Sequence, residues 1–314
     1  MSDLRKRLDR RGFIKQAVQA GTGVGVGGAL LGVTTLPTLS RGASALAETS
    51  TSRSHGNVAS APNRSLALDG EWSIATDPGN SGREQRWSVR TASQASKTKV
   101  PSIIQEVFPA YHGVVWYWRE FRVPIHPDKL GLFLLRFDAV DYMADVWING
   151  VHVGGHEGSE TPFVLDVTTA VKPNTTNLAA VRVLNPGSER IDGIALKETP
   201  HRNKFFPFFS GASYDSGGII GSVRLTMVPG VRVEDLFVQP DWKTGKIRVQ
   251  SNLQNALGNT TQARLYLTVA PDATGAPVAS VYHDIKVKPG ENRVTAELQV
   301  HQPHLWDLQD PYLY

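Results

Sequence analysis

His156-Glu157-Gly158-Ser159-Glu160 sets an imidazole beside two carboxylates and looks like half of a zinc-binding helix. A zinc helix places a second histidine one turn on, on the same face. That histidine is missing, and the run lies in a Gly-rich turn after a strand pattern. His152 and His156 on a strand would stand about 13 Å apart at roughly 3.3 Å per residue, so no metal site is expected. With no cysteine in the chain, thiolate ligands, disulfides and cysteine nucleophiles are excluded. Neither a Gly-x-Ser-x-Gly elbow nor a phosphate loop occurs. Gly23-Val24-Gly25-Val26-Gly27-Gly28 satisfies G-x-G-x-x-G, but without the strand and helix that make the motif work. No cofactor is expected. What remains is recognition. The loop Gln105–His112, with Gln105, Tyr111 and His112, and the segment Asn203–Gly217, with Phe205, Phe206, Phe208, Phe209, Tyr214 and Asp215, combine ring faces with hydrogen-bonding groups. Irregular loops on a rigid scaffold are the usual place for binding residues. A bland reading stands beside this one, in which the phenylalanines only roof the scaffold or pack on a neighbouring domain.

The scaffold reads as strands. From Ser65 to about residue 229, short apolar runs recur at Leu66–Ile74, Val114–Val123, Leu132–Phe137, Met143–Ile148, Val151–Gly155, Phe163–Val167, Leu178–Leu184 and Ser222–Val228. Helical periodicity is not sustained anywhere, and so many short strands with turn chemistry between them predict a jelly-roll β-sandwich. Asn149-Gly150 between alternating runs predicts a type I′ hairpin, with Val146 and Ile148 on one face and Trp147 on the other. Trp72, Trp116, Trp118 and Trp147 are expected in the core. A second series follows over 230–314, at Val231–Val238, Lys246–Ser251, Arg264–Val269, Val281–Val287 and Arg293–Val300. An immunoglobulin-like sandwich has about seven strands. Only five, plus the start of a sixth at Tyr312, can be counted, so the second sandwich is expected to be incomplete and marginal.

Residues 1–47 carry seven basic side chains against Asp3 and Asp9, more than the chain's net charge of +4. The remainder is therefore close to neutral, and no nucleic-acid footprint is read. Arg10-Arg11-Gly12-Phe13-Ile14-Lys15, a Gly-rich apolar stretch and the small residues Ala43, Ala45 and Ala47 form an export signal whose Arg10, Arg11, Phe13 and Lys15 resemble the twin-arginine motif. Periplasmic or extracellular location is expected, with no stable membrane anchor after cleavage. Residues 48–64 read as a flexible linker.

In order, Leu68-Asp-Gly-Glu-Trp72, Val100-Pro101, Gly113, Trp116-Tyr-Trp-Arg119, Phe121-Arg-Val-Pro124, Leu135-Arg-Phe-Asp-Ala-Val-Asp141, Val146-Trp-Ile-Asn-Gly150, Gly154, His156, Thr161-Pro-Phe-Val-Leu-Asp166-Val-Thr168 and Gly217-Gly-Ile-Ile-Gly-Ser-Val223 resemble the N-terminal sugar-binding domain of glycoside hydrolase family 2. His304-Leu-Trp-Asp-Leu-Gln-Asp-Pro-Tyr-Leu-Tyr314 is similar to the late motif of the immunoglobulin-like domain that follows it. The family pattern often has arginine where Gly221 stands. The resemblance implies β-glycoside as ligand, with galactoside, glucuronide and mannoside all open. It also implies a catalytic (β/α)8 barrel, encoded downstream, that carries both catalytic glutamates. No catalytic residue is assigned within this chain, and a fragment or split reading frame is expected. Tyr214 and Asp215 are the residues the resemblance brings nearest the barrel's pocket. Two other functions remain, a stand-alone carbohydrate-binding or adhesion module and a scaffold half that complements a separate barrel.

Overall fold

A computed structural model describes residues 32–35, 64–199 and 216–314. The twin-arginine residues, Phe205–Phe209, Tyr214 and Asp215 lie outside them. The chain divides into two compact units, one over Arg64–Val228 and one built mainly from Pro229–Tyr314.

The first unit is an antiparallel sandwich. Its four-stranded sheet takes β2 (Arg64–Ala67), β11 (Val223–Val228), β6 (Leu132–Phe137) and β9 (Phe163–Asp166), in that order. The six-stranded sheet runs β4 (Ser96–Val100), β3 (Gly70–Thr76), β5 (Gly113–Arg122), β10 (Thr176–Asn185), β7 (Met143–Ile148) and β8 (Val151–Glu157). Between the sheets lies a core that includes Trp72, Ile74, Tyr117, Leu135, Phe137, Val146, Ile148 and Val181.

The expected single strand Leu66–Ile74 is in fact two strands in different sheets. Leu68 N–H donates to Val223 O at 2.8 Å, and Asp69 Oδ1 accepts from Val223 N–H at 2.7 Å. Gly70 then turns the chain at φ +107, a conformation side chains resist. Continuous apolar patterning hides such a corner. β4 was not expected either, because Ser-Lys-Thr-Lys-Val is polar; lysines on an edge strand deter pairing with other chains.

Asn149 and Gly150 have φ of 53 and 83, as the type I′ turn requires. Val146 and Ile148 face the inner core, and Trp147 faces outward. The outward face carries a second cluster. Trp116 stacks on Trp147 with centroids 5.0 Å apart and meets Trp87 edge-on at 6.2 Å. The loop after β3 covers these rings. Asp77 Oδ2 accepts from Trp116 Nε1–H at 3.0 Å, and Trp87 O accepts from Trp118 Nε1–H at 2.7 Å. Trp72, Trp116 and Trp118 are buried, whereas Trp147 is half-buried.

The second unit pairs β12 (Val231–Pro240), β13 (Lys246–Asn255) and β16 (Gly290–Gln299) in one sheet. A second sheet holds β1 (Gly32–Thr35), β14 (Thr261–Val269) and β15 (Ala279–Val287). Alternation along β13 and β14 buries Val249, Leu253, Ala263, Leu265 and Leu267 against one another. Tyr312 starts no strand. The sixth strand is instead Gly32–Thr35, antiparallel to β14 with Gly32 opposite Tyr266.

Candidate functional site

Strands β5 and β10 run side by side from Gly113↔Asn185 to Arg122↔Thr176. Asn185 closes the apolar run of β10, is fully buried, and sits where the loop ahead of β5 returns to the sheet. Gln105, in a single 3₁₀ turn over Ile104–Glu106, donates through Nε2 to Asn185 Oδ1 at 3.0 Å and to Tyr111 O at 2.8 Å. His112 Nδ1 lies 3.1 Å from the same Asn185 oxygen. Tyr111 donates its hydroxyl to Val114 O at 2.8 Å, and burial pushes its pKa up to about 12, so it stays a neutral donor. Gln105 Oε1 is buried with no hydrogen-bond partner among the described residues.

The glycines after residue 215 make this close approach feasible. A Cβ on Gly217 would come within 2.5 Å of the Asn185 side chain. Ile104 N–H donates to Gly217 O at 2.8 Å, which ties the 3₁₀ turn to that segment. Gly218, at φ +133, exchanges backbone hydrogen bonds with Asp141 of 2.7 and 2.8 Å. Nearby, Tyr142 donates its hydroxyl to Glu157 Oε1 at 2.8 Å. Burial, and then that carboxylate, push the Tyr142 pKa up to about 12. Gly221 also has a steric reason. A Cβ there would lie 2.4 Å from Ala139 N, and Gly221 N–H donates to Ala139 O at 3.0 Å.

Three residues singled out from sequence, Gln105, Tyr111 and His112, thus come together. Tyr214 and Asp215 lie outside the described residues. Asn185, which joins the other three, was missed. Its one sequence signal is a polar residue ending the run Ala-Ala-Val-Arg-Val-Leu, where a buried strand would leave an amide needing partners. His152 and His156 have separate partners: His152 stands 3.6 Å from Asp145 and packs on Trp147, while His156 bonds Thr161 at 2.8 Å. The gathered groups are two amides, an imidazole and a phenol. Such a set can orient a hydroxyl-rich ligand but does not supply the two carboxyl groups of glycoside cleavage.

The family model for the sugar-binding domain of glycosyl hydrolases family 2 matches residues 66–229, and a second model of that family matches 231–314. The β-glucuronidase of Rattus norvegicus is 31% identical over 202 residues, covering 57% of this chain and 31% of that protein. A β-galactosidase of Thermoanaerobacter pseudethanolicus is 26% identical over 232 residues, covering 74% of this chain and 29% of that protein. Among solved structures, a β-glucuronidase from glycoside hydrolase family 2 superposes with a TM-score of 0.63 at 21% identity, over 79% of this chain and 28% of that one. The chain thus spans about a third or less of the length of these relatives. Two successive family models that together cover nearly all of residues 66–314 leave one conclusion: this chain belongs to glycosyl hydrolase family 2.

Proposed function

We propose that this chain is the saccharide-binding, non-catalytic front portion of an exported β-glycosidase. The observation that carries the reading is the convergence of Gln105, His112 and Asn185 at one end of the β5–β10 pair, in a domain matched to the family's sugar-binding model. Relatives named β-glucuronidase and β-galactosidase support a β-glycoside as the ligand. In this reading Tyr214 and Asp215 are further candidates for contact with the saccharide. The carboxylate pair that breaks the glycosidic bond belongs to a (β/α)8 barrel partner. The Arg10-Arg11 motif directs the chain through the twin-arginine route to the periplasm or beyond.

The test uses the full chain with nitrophenyl β-glucuronide and nitrophenyl β-galactoside. Saturable binding without turnover, weakened by Gln105→Ala, is expected. Turnover by the purified chain would overturn the non-catalytic role, and an affinity untouched by Gln105→Ala would remove the cluster from recognition. For export, replacing Arg10 and Arg11 together by lysine should hold the protein in the cytoplasm; undiminished export would refute that route.

A further inference from the structure

At the other end of the same strands the sheet forks. The β3–β5 ladder runs from Thr76↔Val115 to Ser73↔Trp118 and stops there. Beyond it, among the described residues, β3 pairs with β4 as far as Gly70↔Val100, and β5 pairs with β10 as far as Arg122↔Thr176. Between the diverging strands lies a cleft of about 360 Å³. This is at the lower end of the range of small-ligand pockets.

Its walls are unusual for a gap in a sheet. Arg119 reaches across the fork and donates through Nη1 to Glu71 O, in place of a lost ladder bond. Its Nε is buried and has no hydrogen-bond partner among the described residues. On the far side Glu71 is paired with Lys97 at 2.9 Å. Glu120 lines the cleft with no ion pair among the described residues, and the hydroxyl residues Ser73 and Thr91 complete the wall. The indoles of Trp72 and Trp118 border the floor but are buried, and their N–H groups are already spent on Leu68 O and Trp87 O.

This chemistry narrows the ligand. Two carboxylates oppose a lone anion, and two cationic side chains oppose a lone cation. With its rings buried, the cleft offers an apolar molecule little to bury against. What fits is a compact neutral molecule whose adjacent groups both donate and accept. We propose that the β3–β5 fork is a second saccharide site, taking one uncharged pyranose unit of a glycan, with the Arg119 guanidinium edge that lines the cleft as donor and Glu120 as acceptor. It lies seven residues along β5 from Gly113, about 23 Å at roughly 3.3 Å per residue, and so is separate from the Gln105 cluster. The proposal does not depend on that cluster binding anything.

Intrinsic tryptophan fluorescence of the full chain, to which Trp72 and Trp118 beside the cleft contribute, is the assay, with methyl β-galactoside, methyl β-glucoside, methyl β-mannoside and glucuronate as probes. At least one neutral glycoside should give a saturable change. Glu120→Gln and Arg119→Gln should each raise its dissociation constant roughly tenfold, the scale of one lost charge-assisted hydrogen bond. Glu120 is exposed and tests the site even where Arg119→Gln disturbs folding. Absence of a saturable response up to about 100 mM, preference for glucuronate, or a response lost in Gln105→Ala but intact in Glu120→Gln would each overturn the proposal.

Discussion

Arg182 Nη2 meets Asp192 Oδ2 at 2.6 Å, and of the two side chains only the carboxylate touches water. Arg182 sits within the apolar run of β10, yet its guanidinium is fully enclosed. Its Nε and Nη2 both donate to Asn80 Oδ1, at 3.2 and 2.7 Å, and Asp145 Oδ2 stands 3.6 Å from Nη1. Arg83 adds a second cation against Asp145 at 2.5 Å and Asp192 at 3.5 Å. Two surface loops are thereby fastened to the outer face of the six-stranded sheet.

Replacing Arg182 by alanine leaves an empty space and leaves Asp192 and Asp145 with Arg83 as their remaining cation. Breaking a buried ion pair by removing one partner costs about 3–5 kcal/mol. Urea unfolding should show a lower midpoint with an unchanged slope for the first unit. A loss below about 1 kcal/mol, the range of surface pairs, would mean that the network contributes nothing beyond solvation.

The same pair dictates a pH dependence. Burial pushes the Asp192 carboxyl up, but Arg182, the Asn80 amide and Arg83 outweigh it and hold its pKa below the ordinary value of 3.8. A carboxyl depressed in the folded state binds fewer protons there than in the unfolded chain, so stability rises with pH through that window. The contribution is complete above the ordinary carboxyl pKa and is lost as pH falls through the lower folded value. Asp192→Asn should flatten the acid limb of the stability curve below pH 3.8; an unchanged limb would assign acid sensitivity elsewhere.

The hairpin at Asn149-Gly150 separates backbone from side-chain effects. Gly150→Ala would set a Cβ 2.3 Å from Val89 Cγ1 at a positive φ and should cost about 1–3 kcal/mol. Asn149→Gly keeps the turn but deletes the amide that donates to Ala170 O and Asn177 Oδ1 and accepts from Leu178 N–H. A loss of about 1–3 kcal/mol is expected there too. Thermal unfolding of both variants measures it, and a neutral Asn149→Gly would show that turn conformation alone matters.

Asn185→Leu preserves size but removes the oxygen shared by Gln105 and His112. Leaving a buried donor without an acceptor costs about 1–3 kcal/mol. The measurement is amide exchange over 104–112, which should accelerate while the β13–β16 pair is unchanged. Equal protection would mean that the Gln105 loop is held without Asn185.

Local rules reached a long way in this chain. Alternation placed Leu132–Phe137 and Met143–Ile148 to the residue, because side chains on a strand half-buried on one face follow a period of two. Asn149-Gly150 declared its hairpin because only such residues take two successive positive φ angles at low cost. The Gln105–His112 loop stood out by its aromatic and amide content, and short strands with family motifs spread along the chain carried the fold class. Other features depended on partners far away in sequence. The corner at Gly70 exists because Asp69 is bound by Val223, 154 residues on. Asn185 matters because Gln105 lies 80 residues earlier, and Arg182 can be buried because Asn80, 102 residues before it, joins Asp145 and Asp192 around its guanidinium. A strand's own sequence states which face is apolar, whereas the tertiary structure decides which polar groups on that strand find partners. That follows because a buried amide or guanidinium is tolerated only where distant groups satisfy it.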